Sequence, residues 1–290
     1  MTDKIYGVID VGSNSVRLML SDGRETLSKN VCITKLAFGL EKNGMLTKDA
    51  IERTAQAVRF FVEEALSNNA CSVYVFATAA VRTAKNGKEL TRRIFDLTGI
   101  ETDIVSGDKE AELGGLGALN GKDGAILDIG GASTEVSVIR NGVVSFTKSI
   151  NVGCVTLTEK FGQDHESIKN FLKGKIKEFG ALTETNFKAI GGTATSLASI
   201  LIGEVIYSPS KVNGYILTKE SVSGLEKTLC SMSVLERENV KGLQKERAEV
   251  ICSGLLILQA VINHFNLKKV VVSEQDNLEG YLMLKDGKNV

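Results

Sequence analysis

The chain has 290 residues, a length that fits one large domain or two domains of ordinary size. Hydrophobic residues make up 43% of the sequence and charged residues 24%, which favours a folded protein with a buried core over a disordered one. Thirty-five Lys and Arg residues balance thirty-five Asp and Glu residues. This neutral charge argues against a strongly basic nucleic-acid binder, although a local cationic groove remains open.

Neither a membrane segment nor a disulfide framework is expected. The N-terminal MTDKIYGVID lacks the apolar run of a signal peptide, and the longest apolar stretches are too short to span a bilayer. The five cysteines lie far apart without a Cys-x-x-Cys pair, which favours reduced thiols and a cytoplasmic location. Because His165 and His264 are the only histidines, a zinc cage is not expected either. The chemistry is expected to rest on carboxylates, hydroxyls, backbone amides or a bound ion.

Hydrophobic patterns in the first part of the chain predict alternating strands and helices. The predicted elements are strands at 5–10, 16–20 and 31–36, a helix capped by Thr47 with one face at Ile51, Ala55, Val58, Val62 and Leu66, a strand at 73–77, a helix from about Lys88, a strand ending at Ile104-Val105, and a helix from Gly107.

The pattern then restarts, which indicates a duplication. The segments VIDVGSNSVRLMLSDG and ILDIGGASTEVSVIRNG share one order: strand, Asp-x-Gly loop, strand, tight turn. We therefore predict two related lobes that face each other, over residues 1–120 and 121–290. The elements predicted after the restart are strands at 125–128, 135–139 and 143–149, helices around 164–179, a strand at 187–190, the loop Gly191-Gly192-Thr193, a helix over about 244–264, and a strand at 270–273.

The two Asp-x-Gly loops are the candidate binding elements. In the first, Gly12 allows close backbone approach, and the amides with Ser13, Asn14 and Ser15 offer donors to an anion such as phosphate. Asp10 fits beside phosphate only where a cation or another positive charge mediates. Alone, such a loop is more often an ordinary hairpin. The second copy, Asp128 to Glu135, changes this balance, because two facing loops can hold a phosphate chain from both sides with their aspartates at one divalent ion.

These paired loops, with a Gly-Gly-Thr loop after a later strand, resemble those of the actin, Hsp70 and sugar-kinase superfamily. More narrowly, the sequence resembles the exopolyphosphatase and guanosine pentaphosphate phosphohydrolase (Ppx/GppA) family in its short two-domain form. The resemblance implies an α/β fold of two ribonuclease H-like, actin-like lobes, with mixed sheets flanked by helices and a cleft between the lobes. Arg247-Ala248-Glu249 with Gly254 also fits the family's late helix. The segments that carry the match are IDVGSNSVRL at 9–18, FATAAVRTAKN at 76–86, VSGDKEAEL at 105–113, LDIGGASTEVS at 127–137 and AIGGTATSLASI at 189–200.

The resemblance implies an enzyme: a hydrolase that releases terminal phosphate from inorganic polyphosphate or guanosine pentaphosphate with Mg²⁺ or Mn²⁺. Such chemistry requires a water in line with the terminal phosphorus and positive groups around the transferred phosphoryl. Glu110 is then the expected general base, and Glu135 the glutamate that binds the metal or orients the water. The metal ligands implied are Asp10, Asp128 and Glu135. The phosphate contacts implied are Gly12, Ser13, Asn14, Ser15, Arg82, Gly130, Gly131, Ser133, Thr134, Gly192 and Thr193.

Three positions depart from the family's pattern: Ala132 replaces a glycine, Lys109 an acidic residue and Leu278 an arginine. Arg17 and Lys35 are additional candidate contacts to polyphosphate, with Arg17 facing either the cleft or solvent. Two alternatives stay open, an ATP-dependent sugar or acid kinase and a non-catalytic sensor that binds polyphosphate or an alarmone. Dimerisation is common in the family, so a homodimer also stays open.

Overall fold

Two mixed β-sheets flanked by helices organise residues 4–204 and 206–285, the part of the chain that the computed structural model describes. The strands of the first sheet are β1 (Ile5–Val11), β2 (Ser15–Ser21), β3 (Thr26–Ile33), β4 (Ala70–Ala77) and β5 (Thr102–Ile104). Those of the second are β6 (Gly124–Ile129), β7 (Thr134–Arg140), β8 (Val143–Ile150), β9 (Phe187–Ile190), β10 (Ile216–Thr218) and β11 (Lys269–Val272). The strand orders are β3-β2-β1-β4-β5 and β10-β11-β9-β6-β7-β8.

The two sheets repeat one plan. In each, three consecutive strands pair antiparallel, and the first of them also pairs in parallel with a later strand, β4 in one sheet and β9 in the other. The register sets Asp10 opposite Arg17 and Asp128 opposite Glu135. The duplicated hairpins that the sequence predicts are therefore present, and their aspartates occupy equivalent strand ends.

Helices cover the sheets. Thr47 caps α2 by accepting a hydrogen bond from the Ala50 amide, as predicted. Most of the predicted apolar face is buried, but Leu66, in the last turn, is exposed. The helices are α1 (Leu40–Asn43), α2 (Lys48–Ser67), α3 (Ala79–Thr83), α4 (Gly87–Thr98), α5 (Gly107–Leu119), α6 (Cys154–Phe161), α7 (His165–Lys175), α8 (Gly191–Ile202), α9 (Pro209–Val212), α10 (Lys219–Leu229), α11 (Val234–Arg237), α12 (Ile251–His264) and α13 (Asn277–Lys285), with 3₁₀ turns at Ile176–Phe179 and Lys245–Arg247.

Helices α5 and α13 pack against each other, with α5 on the second sheet and α13 beside β1. Their backbones approach through glycines. A Cβ on Gly117 would lie 1.9 Å from the Asp276 carbonyl oxygen, and one on Gly280 would lie 1.9 Å from that of Leu113. Because any side chain there would collide with backbone, the two glycines allow this close packing. Helix α13 thus packs beside the first sheet, and residues 274–278, which precede and begin this helix, lie near the ends of β1 and β6.

The third strand and the Gly-Gly-Thr segment differ from expectation. Strand β3 begins at Thr26, directly after the turn, because it pairs with β2 along its whole length. The amides of Thr34 and Lys35, predicted to lie in the strand, donate instead to the Asn14 carbonyl. Residues 191–193, predicted as a loop, form the first turn of α8, and Gly191 begins that helix with a φ of 83°. Within the described residues, no helix is both long and apolar enough to cross a lipid bilayer.

Candidate functional site

A cavity of about 320 Å³ lies where β1 and β6 end, and both Asp-x-Gly loops line it. Its walls also include the first turn of α8 and residues 274–278, which precede and begin α13. Most of the residues singled out from the sequence meet here. Those that line the cavity are Asp10, Gly12, Ser13, Asn14, Ser15, Glu110, Asp128, Gly130, Gly131, Ser133, Gly192 and Thr193.

The two loops have the same local geometry and touch each other. The Gly12 amide donates to the Ser15 carbonyl, and the Gly130 amide donates to the Ser133 carbonyl, both at 3.0 Å. A Cβ on Gly131 would lie only 2.8 Å from the Ser13 Cβ. Direct contact between the loops therefore depends on glycine at position 131, and their polar groups converge on one space.

Arg17 faces this cavity and holds two aspartates. Its Nε donates to Asp10 Oδ2 at 3.1 Å, and its Nη1 donates to Asp276 Oδ2. Burial opposes the ionisation of Asp276, but the charges of Arg17 and Lys29 outweigh burial and lower the pKa of this carboxyl. Burial dominates at Asp10, where the pKa is raised despite Arg17.

Asp128, Glu135 and Glu110 are three buried carboxylates whose charges act on one another. Burial, followed by carboxylates nearby, raises the pKa of Asp128 to about 6 and that of Glu135 to about 7. Burial and the charge of Glu135 also raise the pKa of Glu110 well above its usual range. Gly191 leaves room for these carboxylates, because a Cβ there would lie 2.6 Å from Asp128 Oδ1.

Each of these three carboxylates has a hydrogen-bond donor that orients it. Asn277 Nδ2 donates to Asp128 Oδ2 at 3.0 Å, and Ser149 Oγ donates to Glu135 Oε1 at 2.7 Å. Arg82 Nη1 donates to Glu110 Oε2 at 3.1 Å and to the Val105 carbonyl at 2.7 Å. No sequence motif indicated the roles of Asn277, which lies 149 positions from Asp128, or of Ser149, which lies 14 positions from Glu135.

Two carboxylate oxygens at the site are buried without a hydrogen-bond partner among the described residues: Asp10 Oδ1 and Glu135 Oε2. Such atoms are rare in folded proteins unless a water or an ion satisfies them. Oxygen donors from several carboxylates are the ligand set that Mg²⁺ and Mn²⁺ prefer. The chemistry of these oxygens and of Asp128 therefore suits a divalent cation of this kind, but among the described residues the ligand atoms of Asp10, Asp128 and Glu135 are not gathered within 4.8 Å of one another.

Three residues predicted at the site do not line the cavity: Glu135, Arg82 and Thr134. Glu135 and Arg82 lie behind it, where their charges act on Glu110. Thr134 is fully buried, and its hydroxyl donates to the Val152 carbonyl at 2.6 Å. Lys35 pairs with Glu249 at 2.9 Å.

Two of the departures from the family's pattern lie away from the cavity lining. Ala132 lines a separate cavity of about 240 Å³ with Asn151 and Thr156, so its methyl group is not among the groups that face the main cavity. Lys109 donates to Glu112 at 2.9 Å. Leu278 does line the main cavity and is fully buried.

Arg247 is a lining residue to which sequence reasoning assigned no role. A Cβ on Gly192 would lie 2.2 Å from Arg247 Nη1, so the guanidinium rests against the backbone of α8. Burial lowers the pKa of Arg247. Only the resemblance of Arg247-Ala248-Glu249 to the family's late helix had marked this position. The cavity therefore holds cationic groups, Arg17 and Arg247, beside its carboxylates.

Known proteins are similar to this chain in sequence and in fold. The sequence profile of the Ppx/GppA phosphatase family matches residues 18–286. A bifunctional 3-dehydroquinate synthase/phosphatase of Fusobacterium nucleatum is 28% identical, over 95% of this chain and 46% of that protein. A guanosine-5'-triphosphate,3'-diphosphate pyrophosphatase of Photobacterium profundum is 27% identical, over 93% of this chain and 56% of that protein. The chain thus spans about half the length of these curated relatives.

A solved structure is similar over its whole length. The crystal structure of the Aquifex aeolicus member of the Ppx/GppA family superposes with a TM-score of 0.81 at 26% identity, covering 98% of each chain. The α/β fold with two mixed, helix-flanked sheets is therefore that of a solved Ppx/GppA protein. The chain belongs to the Ppx/GppA phosphatase family.

Proposed function

We propose that the protein is a metal-assisted phosphoanhydride hydrolase that removes the terminal phosphate of inorganic polyphosphate or of guanosine pentaphosphate. The observation that carries this proposal is the shared cavity, which Asp10, Asp128 and Glu110 line together with both glycine-containing loops. The name of the Photobacterium relative, a pyrophosphatase acting on a guanosine polyphosphate, supports the same substrate class.

The loops are proposed to hold the phosphate chain. Backbone amides and hydroxyls of the other lining residues of the loops, Ser13, Asn14, Ser15, Gly131 and Ser133, donate to phosphate oxygens, while Gly12 and Gly130 shape the loops through their own amides. The first turn of α8, with Gly192 and Thr193, adds amide donors at a helix N-terminus. Arg82 keeps guanidinium donors that Glu110 and Val105 do not use, and these are proposed to reach phosphate. Thr134 is proposed to act through its backbone, because its hydroxyl is occupied by Val152.

Glu110 is proposed as the general base. Its raised pKa makes the ionised form a stronger base toward a water in line with the terminal phosphorus. Arg82 fixes one carboxylate oxygen and leaves the other for that water. The buried setting removes competing solvent contacts, so the orientation of Glu110 is set by the protein.

Asp10, Asp128 and Glu135 are proposed to hold Mg²⁺ or Mn²⁺. When bound, this ion supplies positive charge that offsets the negative charge of the transferred phosphoryl group. Arg17 positions Asp10 by binding Oδ2, which leaves Oδ1 available. Ser149 does the same for Glu135, whose Oε2 is available.

We also propose that residues 1–120 and 121–290 are the two lobes of the protein, and that it works in the cytoplasm. The sheets support the first point, because β1 to β5 and β6 to β11 form separate sheets. Helices α5 and α13 cross this boundary, because α5 packs on the second sheet and α13 lies beside β1. The five cysteines support the second, because all are free thiols in the structure.

A phosphate-release assay tests the proposed activity. Long polyphosphate, short polyphosphate, guanosine pentaphosphate and ATP are each incubated with the protein, with and without Mg²⁺. We expect phosphate release from polyphosphate or guanosine pentaphosphate that requires the metal and falls as salt rises, since the substrates are polyanions. Tight binding without release would indicate a sensor, and formation of sugar phosphate from ATP and a sugar would indicate a kinase. Either result contradicts the proposal.

A further inference from the structure

A second group of ligating side chains lies outside the cavity, where helices α7, α10 and α12 meet. His165 begins α7, Cys230 directly follows α10, and Cys252 is the second residue of α12. One ring nitrogen and the two sulfurs lie within 4.8 Å of one another. None of the three residues lines either of the two cavities described above. The fold therefore assembles a cluster that sequence spacing did not reveal.

The ligand set matches a thiophilic divalent cation. Zinc binds cysteine sulfur at about 2.3 Å and histidine nitrogen at about 2.0 Å, so ligands of one tetrahedral ion lie within about 4 Å of each other. Because the three atoms lie within 4.8 Å of one another, each separation exceeds that value by at most about 0.8 Å. His165 and Cys230 are partly exposed, which gives an ion a path to the cluster.

The histidine has a nitrogen available for a metal. His165 Nε2 is buried and has no hydrogen-bond partner in the part of the chain that the structure describes. A buried polar atom without a partner carries a free-energy cost, and a bound ion removes that cost.

Arg237 supplies a second, independent observation. This residue is only 1% exposed, and its Nη1 donates to Cys252 Sγ at 2.9 Å. Its other acceptors are the Gln163 side-chain oxygen and the Ser233 carbonyl, and no carboxylate of the described residues forms an ion pair with it. A buried guanidinium requires a counter-charge. The Cys252 sulfur is the acceptor of Arg237 Nη1, and the thiolate form of this cysteine, which would carry that counter-charge, is also the form that binds metals.

We propose that His165, Cys230 and Cys252 form a binding site for a zinc-type cation, with water in the fourth position. The ion ties the start of α7, the end of α10 and the start of α12 together. Because the ion would bind only the folded chain, zinc binding is expected to raise the melting temperature. Gln163 connects this site to its surroundings, because it accepts a hydrogen bond from Arg237 and donates one to the Glu249 carbonyl at 3.0 Å. The site does not depend on the proposed hydrolase activity.

The test uses the full chain, reduced with a phosphine, stripped of metal with a chelator and dialysed against Zn²⁺ alone. We expect each chain to retain one zinc ion, bound by His165, Cys230 and Cys252. The variants Cys230→Ser and His165→Asn are expected to weaken zinc binding more than about 100-fold, since changes outside the ligands alone cost 10–100-fold. Cys71→Ser is the matched control, because Cys71 is exposed and lies outside the cluster, and it should bind zinc as the wild type does.

Cobalt distinguishes this site from the cavity, whose carboxylates also attract cations. Co²⁺ bound by cysteine gives a thiolate-to-cobalt absorption band, which oxygen ligands do not give. Because Cys154 lines the cavity, the band must persist in Cys154→Ser and disappear in Cys230→Ser combined with Cys252→Ser. If the protein does not fold when buried Cys252 is replaced, zinc retention by the single variants Cys230→Ser and His165→Asn decides the proposal. Equal zinc retention in these variants and the wild type overturns the proposal, as does the absence of the cobalt band, or a Cys230–Cys252 disulfide without retained zinc.

Discussion

Arg17 and Asp276 form an ion pair although 259 positions separate them in the sequence. The same guanidinium also binds Asp10, which lies opposite Arg17 in the first sheet. The Arg17 guanidinium thus joins the first loop to the segment before α13. It binds one oxygen of Asp10, and the other oxygen has no hydrogen-bond partner among the residues that the structure describes. The site is therefore held together by a contact between the two ends of the chain.

Replacing Arg17 should destabilise the protein, because Arg17→Met leaves Asp10 and Asp276 buried without this counter-charge. We expect a loss of about 3 kcal/mol in the free energy of unfolding, measured by urea denaturation. Arg93→Met is the matched control, since Arg93 pairs with Glu52 on the surface, where solvent screens the charges, and its loss should cost much less stability than that of Arg17. Equal urea midpoints for Arg17→Met and the wild type would show that the ion pair contributes nothing.

Replacing Glu110 should separate catalysis from binding. Glu110→Gln removes the proposed base and keeps its shape, so phosphate release should fall at least about 100-fold while polyphosphate affinity changes little. Glu112→Gln, two residues further along the same helix, is the control, because Glu112 pairs with Lys109 outside the cavity. Steady-state release and equilibrium binding measure the two effects. Wild-type turnover in Glu110→Gln would remove the assigned role.

Contact between the two loops can be tested with a methyl group. Gly131→Ala places a Cβ 2.8 Å from the Ser13 Cβ, so the loops must separate. We expect about 1–3 kcal/mol of destabilisation and weaker polyphosphate binding. Gly174→Ala is the control, because a Cβ there meets nothing within 4 Å in helix α7, and it should stabilise by about 0.5–1 kcal/mol.

A second substitution separates crowding from other effects of Gly131→Ala. Adding Ser13→Gly removes the Cβ that the new methyl group would meet. Stability in the double variant should then recover more than the sum of the single changes predicts, which a double-mutant cycle measures. Strict additivity would mean that the loops do not press on each other at this point.

Local sequence signals predicted the duplicated hairpins, and the family resemblance predicted the fold class. Strand alternation, Asp-x-Gly loops and the Asn141-Gly142 turn act over a few residues, and the Aquifex structure confirms the resulting α/β fold. The family resemblance is confirmed by the matching profile. The duplication also predicted that the two Asp-x-Gly loops, which follow the equivalent strands β1 and β6, face each other, and both loops line the cavity.

Long-range pairings could not be read from the sequence. Alternation in β2 left two possible directions for Arg17, and the structure shows that its guanidinium faces the cavity, where it binds Asp10 across the hairpin and Asp276 far along the chain. Thr134 belongs to the predicted loop motif, yet its hydroxyl donates a hydrogen bond to the Val152 carbonyl, a contact that no sequence spacing indicates. The same limit hid the cluster of His165, Cys230 and Cys252, whose members begin or end three separate helices.

Stability should depend on pH in a direction set by the buried carboxyls. The pKa of Glu135 is raised to about 7 and that of Asp128 to about 6, so the folded protein keeps protons that the unfolded chain has released. This contribution to stability is fully present below about pH 4 and is lost as the pH rises through these values. In a chelator, the free energy of unfolding should therefore fall by roughly 2 kcal/mol or more between about pH 5 and about pH 8.

Mg²⁺ should reverse this trend, because a bound cation stabilises the ionised carboxylates and competes with their protons. Thermal unfolding across the same pH range, with a chelator or with Mg²⁺, measures both effects. Glu135→Gln removes one of the titrating groups, so its stability in the chelator should change less with pH than that of the wild type. If the free energy of unfolding of the wild type in the chelator does not fall from pH 5 to pH 8, Glu135 and Asp128 do not retain protons on folding in this range, which contradicts their raised pKa values.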